Sequence, residues 1–269
     1  MRGGVVVSRL LPALLVLVVG ACDDAPPRPT SPSRPERPPR PASVPSDALS
    51  ATARGTTEEA AGVRYLVRTT AGAAADARLP LVVAMHGLGD RPERFGILDA
   101  LPVAARVVTP FGLTPYGGGY SWFDLGDRTR MHEGIAAAAG RVAAMLEVLV
   151  ARYPTRGKPI VTGFSQGGML SFALATQHPA SIGAAFPLGG FLPSELIVDA
   201  PANAPPIVAL HGEADRRVLF APTERAVALL VDRGWSAALR AYPDVGHTVS
   251  PSMQARLFVE IGRATHREP

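Results

Sequence analysis

The sequence holds one cysteine, Cys22, among 269 residues. An internal disulfide framework and a cysteine-based zinc site are both excluded by that count. Lysine is as scarce: of 27 basic residues only Lys158 is a lysine. The formal net charge of +4 therefore rests on arginines, and these are scattered, with Arg216-Arg217 and Arg128/Arg130 the tightest clusters. Binders of the phosphate backbone concentrate charge on one face, so nucleic-acid binding is not expected, and the arginine-, alanine- and proline-rich composition reads as genome bias. No apolar run reaches the roughly 18 residues that a bilayer-spanning helix needs, which excludes a multi-span membrane protein. The metalloprotease signature H-E-x-x-H is missing, and no internal repeat is visible. What is present is 47% hydrophobic and 19% charged, too apolar for wholesale disorder and long enough for one or two domains with a sizeable core.

The first sixty residues read as an address and a tether. Arg2 and Arg9 flank a short valine run, and Leu10 to Val19 is an apolar stretch followed by the small residues Gly20 and Ala21 and then Cys22. A ten-residue helix rises about 15 Å, half of a hydrocarbon core, so this segment reads as an export signal rather than a span. Val19-Gly20-Ala21-Cys22 resembles the lipobox of bacterial lipoproteins, in which the cysteine is lipidated and becomes the mature N-terminus. The alternative is an ordinary signal peptide cut after Ala21. The lone cysteine standing where a lipobox needs it favours lipid attachment at Cys22, and two or three acyl chains anchor stably where one does not. The expectation is an exported bacterial lipoprotein, membrane-anchored and facing the periplasm or cell exterior. Between Pro26 and Pro45 nine of twenty residues are proline. Such a segment is an extended, polyproline-like spacer, able at about 3.1 Å per residue to lift a domain some 60 Å from its anchor. Residues 46–62 are small and polar and are assigned to the same tether, which makes the organisation a signal (1–21), a tether (22–62) and one catalytic domain (63–269).

From residue 63 the pattern alternates strands with helices. Val63–Thr69 alternates and is predicted as an edge strand; Pro80–Met85 is a continuous apolar run, as in a strand buried on both faces. Further strands are predicted at Val103–Thr109, Ile160–Phe164, Gly183–Leu188, Ile207–Leu210 and Ser236–Tyr242. Helices are predicted at Glu133–Tyr153, Gln166–His178, Thr223–Arg233 and Ser252–Thr265. This alternation implies an α/β fold: a mostly parallel central sheet with helices on both faces and its chemistry in the loops at the carboxyl ends of the strands.

One such loop reads Gly163-Phe164-Ser165-Gln166-Gly167-Gly168, a G-x-S-x-G between a strand and a helix. That is the context of a nucleophile elbow, whose tight turn needs residues without bulk on either side of the serine. A serine hydroxyl needs a base to take its proton and an acid to orient the base. Of the histidines after Ser165, His178 lies on the helix beginning at the serine, His211 ends a buried strand and satisfies its own loop, and His266 is near the chain end. His247 follows a strand and precedes the last helix, where it can reach Ser165. For the acid, Asp199 lies in a proline-rich loop, Asp232 within a helix, and Asp244 too near His247. Asp215 directly follows the strand Ile207–Leu210, one helix and one strand before His247; Glu213 is the reserve acid, and a structural ion pair is the other reading of Asp215. An oxyanion needs two preorganised donors. The amide of Gln166 is one, and the amide of Leu88, in the loop His86-Gly87-Leu88-Gly89-Asp90, is the second.

Taken together, His86-Gly87-Leu88-Gly89-Asp90, Ser121-Trp122-Phe123-Asp124, the elbow, His211-Gly212 with Asp215, and Gly246-His247 occur in the order seen in the phospholipase/carboxylesterase family, which includes the acyl-protein thioesterases. The chain is similar to that family from about residue 63 to 265. The resemblance implies an α/β-hydrolase fold, a Ser-Asp-His triad, no cofactor, and hydrolysis of carboxylic esters, lysophospholipids or acyl thioesters; the substrate is then a small-molecule or lipid ester. It also implies that Trp122 lines the acyl pocket, while composition alone allows plain core packing. The sequence departs from the family pattern in three places: Arg216-Arg217-Val218-Leu219 lacks the proline often found after the acid, Tyr116-Gly117-Gly118-Gly119-Tyr120 is unusually glycine-rich, and Gly189 stands where serine is common. Two other readings compete, a secreted polyester or feruloyl-type esterase on the same fold and a catalytically silent hydrolase-fold lipoprotein that binds a partner.

Overall fold

The structure is a computed structural model that describes residues 55–127 and 129–266. The signal segment, Cys22 and the tether up to residue 54 lie outside the described residues. In chain order the elements are β1 (Thr56–Ala60), β2 (Val63–Thr69), β3 (Leu81–Met85), β4 (Arg106–Pro110), β5 (Thr114–Tyr116), β6 (Gly119–Ser121), α1 (Met131–Arg152), β7 (Ile160–Phe164), α2 (Gln166–Gln177), β8 (Ala184–Leu188), β9 (Ile207–Gly212), α3 (Phe220–Asp232), β10 (Ala237–Tyr242) and α4 (Pro251–Thr265). Eight strands form one sheet in the order β1-β2-β4-β3-β7-β8-β9-β10, and β5 pairs with β6 in a separate hairpin. β1 and β2 run antiparallel, as do β2 and β4; all the remaining pairs of the main sheet are parallel.

Every residue of β3, β4 and β8 is buried, which explains their unbroken apolar runs: side chains alternate between two cores. Leu81, Val83 and Met85 face a core shared with Ile135, Val142, Met145 and Leu149 of α1, with α2 and with Leu230 of α3. Val82 and Ala84 face the opposite core, closed by Met253, Leu257 and Ile261 of α4 and by Phe95 and Leu98. Helix α1 is long and apolar enough to cross a membrane by composition, but its apolar stripe is buried in the first of these cores.

Two expectations about the start of the domain are corrected. Val63–Thr69 is not the sheet edge, and the boundary at residue 63 falls inside a hairpin. β1 pairs with β2 from Thr56↔Val67 to Ala60↔Val63, turning through Ala61 (φ 48°) and Gly62 (φ 72°), the pair of positive φ angles that a two-residue hairpin turn needs. β1 is polar, Thr56-Thr57-Glu58-Glu59, because it is the edge and most of its side chains face water. The hairpin β5–β6 is a further element that the pattern did not predict.

Candidate active site

Ser165 sits between β7 and α2 with φ 58° and ψ −115°. That conformation is strained for any residue with a Cβ, by about 1–3 kcal/mol, and it lifts the hydroxyl clear of the sheet. Ser165 N–H donates to Leu188 O at 2.9 Å and its carbonyl accepts from Met169 N at 3.0 Å, so neighbouring elements fix the turn. The glycines are there because backbone meets backbone. A Cβ on Gly167 would collide with Met85 O and stand 2.6 Å from Met85 C; one on Gly168 would strike Leu188 O, and one on Gly163 the Gly167 carbonyl. The start of α2 is thus pressed against the ends of β3 and β8 with no room for a methyl group.

His247 reaches Ser165 from the loop after β10, with Nε2 3.1 Å from Oγ. Its Nδ1 lies 2.6 Å from Oδ2 of Asp215, in the loop after β9. Asp215 is 4% exposed, and its second oxygen accepts from the amides of Arg217 at 2.9 Å and Val218 at 3.0 Å. Burial alone would raise its pKa, but the hydrogen bonds from His247 and these two amides outweigh burial and hold the carboxyl below its ordinary value. An ionised carboxylate only accepts, so Nδ1 carries the proton and Nε2 presents a lone pair to the serine hydroxyl. The ring of Phe164 packs on the imidazole with centroids 4.7 Å apart. Gly212 lets the loops of Asp215 and His247 touch, since a Cβ there would collide with Val245 O and stand 2.7 Å from Val245 C and 3.0 Å from Gly246 O.

The loop after β3 closes on the serine, where a Cβ on Gly87 would lie 3.4 Å from Ser165 Cβ. Within it the amides of Gly89 and Asp90 are used, donating to Tyr120 O at 2.8 Å and Gly87 O at 3.2 Å, while among the described residues no acceptor stands against the Leu88 amide. The amide of Gln166 is the first of α2, where a helix has no partner of its own to offer. Of the sequence-chosen residues, Ser165, His247 and Asp215 are in contact from three separate strand ends, Gln166 follows Ser165 directly, and the loop that holds Leu88 closes on Ser165 from a fourth. Glu213 is exposed, Asp199 is exposed and lies 3.4 Å from Arg233, and His178 is only partly exposed at the far end of α2.

The bonds of the Gln166 and His86 side chains escaped the sequence reading, and Trp122 takes the core placement that composition allowed. The Gln166 side chain is buried, its Oε1 accepting from Trp122 N at 3.1 Å and Ser121 Oγ at 3.2 Å while Nε2 donates to Phe123 O at 3.0 Å. Trp122 is 2% exposed and donates its indole N–H to His86 O at 2.8 Å, which places it in the core beneath the loop that carries Leu88. His86 accepts from Gly112 N at Nε2 (3.1 Å), so its proton is on Nδ1, directed at Gly87 O (2.7 Å); burial holds its pKa below the ordinary histidine value. The segment 112–123 therefore braces both the turn at Ser165 and the loop after β3. A polar residue directly after Ser165 was the one signal of this in the sequence.

Comparison with known proteins gives the family and the fold. The family model described as Phospholipase/Carboxylesterase matches residues 71–259. A probable carboxylesterase of Oryza sativa subsp. japonica, Os04g0669500, is 30% identical over 208 residues, covering 69% of this chain and 77% of the relative. Among solved structures, esterase PE8 superposes with a TM-score of 0.62 at 28% identity, over 71% of this chain and 95% of that one. SOBER1 of Arabidopsis thaliana gives 0.61 at 26% identity, over 70% and 99%. With its parallel sheet, its elbow and this likeness over most of its length, the chain belongs to the phospholipase/carboxylesterase family of α/β-hydrolases and is an ester-hydrolysing enzyme.

Proposed function

We propose that the protein is a serine carboxylic-ester hydrolase that works through an acyl-enzyme at a membrane surface. The observation that carries this reading is the unbroken contact chain from Ser165 Oγ through His247 to Asp215, at 3.1 and 2.6 Å. Ser165 Oγ attacks the acyl carbonyl as its proton passes to His247 Nε2. The resulting oxyanion is met by the amides of Leu88 and Gln166. His247 then gives the proton to the departing alcohol oxygen, leaving the acyl group on Ser165. Water attacks that ester, again losing a proton to His247, and the carboxylic acid leaves with Ser165 restored. Asp215 stays ionised throughout and fixes the tautomer of His247.

The membrane part of the reading is supported by the lipobox-like Val19-Gly20-Ala21-Cys22 and by the proline-rich stretch behind it. Diacylation at Cys22 is expected to hold the enzyme where lipid-borne or poorly soluble esters concentrate. Two experiments test the two parts separately. The intact chain, purified in mild detergent, is assayed on p-nitrophenyl esters of increasing acyl length beside Ser165→Ala; a rate that disappears with the serine supports the mechanism, and an equal rate in both sinks it. In cells, Cys22→Ala should move the protein from the membrane to the soluble fraction; unchanged partitioning would remove the anchor from the account.

A further inference from the structure

Asp215 serves a second imidazole. His211, at the end of β9, is fully buried, and its Nε2 lies 3.4 Å from Oδ2 of Asp215, the same oxygen that meets His247. That nitrogen also stands 2.9 Å from Val218 O. A carbonyl and a carboxylate oxygen, neither with a proton to offer, face Nε2 together, so Nε2 must carry the hydrogen; a lone pair there would oppose both. On the other side of the ring, Nδ1 is 2.8 Å from Thr223 Oγ1, a hydroxyl whose one hydrogen has two acceptors in reach, Nδ1 and Gly190 O at 2.9 Å, and which serves Nδ1 when it turns from that carbonyl. Val218 closes the arrangement: its amide donates to Asp215 Oδ1 while its carbonyl takes the His211 proton. Two hydrogen bonds through Val218 thus tie His211 to the carboxylate of Asp215, and they hold Nε2 3.4 Å from Oδ2.

Among the described residues, the charged or titratable groups facing His211 are few. Its own loop supplies Asp215, and the loop after β10 supplies His247 across that carboxylate. Helix α3 contributes the Thr223 hydroxyl and the edge of Phe220, 5.8 Å away, and the segment after β8 contributes Gly190 O, 2.9 Å from Thr223 Oγ1. Burial lowers the pKa of His211 against the opposing pull of Val218 O and Asp215, which agrees with a neutral ring.

We propose that His211 is a positioning residue of the reaction: as the neutral Nε2–H tautomer it shares its proton between Val218 O and Asp215 Oδ2, aims that oxygen at His247, and tempers the hold of the carboxylate on the His247 proton. This rests on reading Ser165, His247 and Asp215 as the catalytic triad. A carboxylate stripped of a donor grips the remaining imidazole's proton harder, so the base is silenced at higher pH. The role is distinct from filling space, because a residue that only packs would leave the pH dependence untouched.

The test compares wild type, His211→Gln, which keeps an N–H donor near the Nε2 position, and His211→Leu, which keeps bulk and loses the donor. With p-nitrophenyl acetate, His211→Leu should lose about tenfold in kcat with KM little changed, on the scale of other outer-sphere partners. The acid limb of its pH–rate profile should move up by about half a pH unit, and His211→Gln should restore most of both. A folded His211→Leu enzyme whose acid limb stays in place overturns the proposal. Should that variant fail to fold, nitrogen-15 NMR of histidine-labelled wild-type protein decides: a protonated Nε2 and bare Nδ1 at His211 are expected, and the reverse overturns the assignment. The NMR readout needs no turnover, so it separates failure of this inference from failure of the triad reading.

Discussion

Replacing Gly167 by alanine puts one methyl group where the start of α2 lies against the end of β3. The new carbon would stand 2.6 Å from Met85 C and 2.9 Å from His86 O, and would overlap Met85 O outright. Carbon contacts are comfortable at about 3.5–4.0 Å, so the helix start has to retreat from the strand by roughly an ångström. All the colliding atoms are backbone, and no side-chain rotation relieves them. Helix propensity alone predicts a gain of about 1 kcal/mol for Gly→Ala, whereas overpacking of a tight interior costs about 1–3 kcal/mol. With backbone atoms on every side the collision falls at the costly end of that range and wins, for a net loss of up to about 2 kcal/mol in stability. The functional loss is larger than the stability loss, because the retreat separates Ser165 and the Gln166 amide from the Leu88 loop. A misplacement of about 1 Å costs on the order of a hundredfold in rate. Gly140 on α1 is the matched control: a Cβ there meets nothing within 4 Å, and Gly140→Ala should be fully active and more stable by about 0.5–1 kcal/mol. Thermal unfolding and kcat/KM on p-nitrophenyl acetate measure both effects. A Gly167→Ala enzyme as fast and as stable as wild type would refute the claim that close backbone approach sets these glycines.

Further outcomes follow from the buried polar groups. Trp122→Phe keeps an aromatic ring but strips His86 O of its donor, and should cost about 1–3 kcal/mol of stability together with activity, as the loop after β3 loosens; an unchanged urea midpoint contradicts this. Gln166→Met, of similar size, leaves Trp122 N–H unpartnered and takes from Phe123 O one of its two donors, Ser121 Oγ at 2.8 Å being the other, and a loss of about 1–3 kcal/mol is expected from chemical denaturation. His86 and His211 both have pKa values pushed below the ordinary 6.5, chiefly by burial, so the unfolded chain takes up protons that the folded chain refuses. Their contribution is complete above pH 6.5 and shrinks as the pH falls, by about 1.4 kcal/mol per pH unit for each ring until the folded-state value is reached. Asp215, whose pKa is lowered, adds its loss only further down, as the pH falls through its folded-state value. A urea midpoint that does not change between about pH 7 and 5 would count against the neutral buried rings.

Much of this site was legible because each chemical residue follows a strand whose apolar run is plain. β3, β7 and β9 read as buried strands, and Leu88, Ser165 and Asp215 come directly after them; chain order then left His247 as the base. What was not legible depends on residues far apart in sequence. The bonds of Gln166 to Ser121, Trp122 and Phe123 span 43 to 45 positions, and nothing in a one-dimensional pattern announces them. β1 was missed because its polar residues are those an exposed edge requires, and β5–β6 because three glycines erase any alternation. One of those glycines has a clear reason: a Cβ at Gly119 would strike the backbone oxygens of Gly89 and Asp90, where the hairpin bonds to the loop after β3. His211 was read as satisfying its own loop. Its bond to Val218 O agrees with that reading, but the turn that carries Asp215 also folds the carboxylate back to within 3.4 Å.

The central claim is that Ser165, and no other residue, is the nucleophile. A fluorophosphonate probe forms a phosphorus–oxygen bond to an activated serine with loss of fluoride, and peptide mass spectrometry locates the adduct. The account predicts one adduct, on the peptide holding Gly163-Phe164-Ser165-Gln166-Gly167, with esterase activity lost in proportion to labelling and no adduct in Ser165→Ala. A folded protein that hydrolyses esters yet remains unlabelled at Ser165, or that carries the adduct elsewhere, would contradict it.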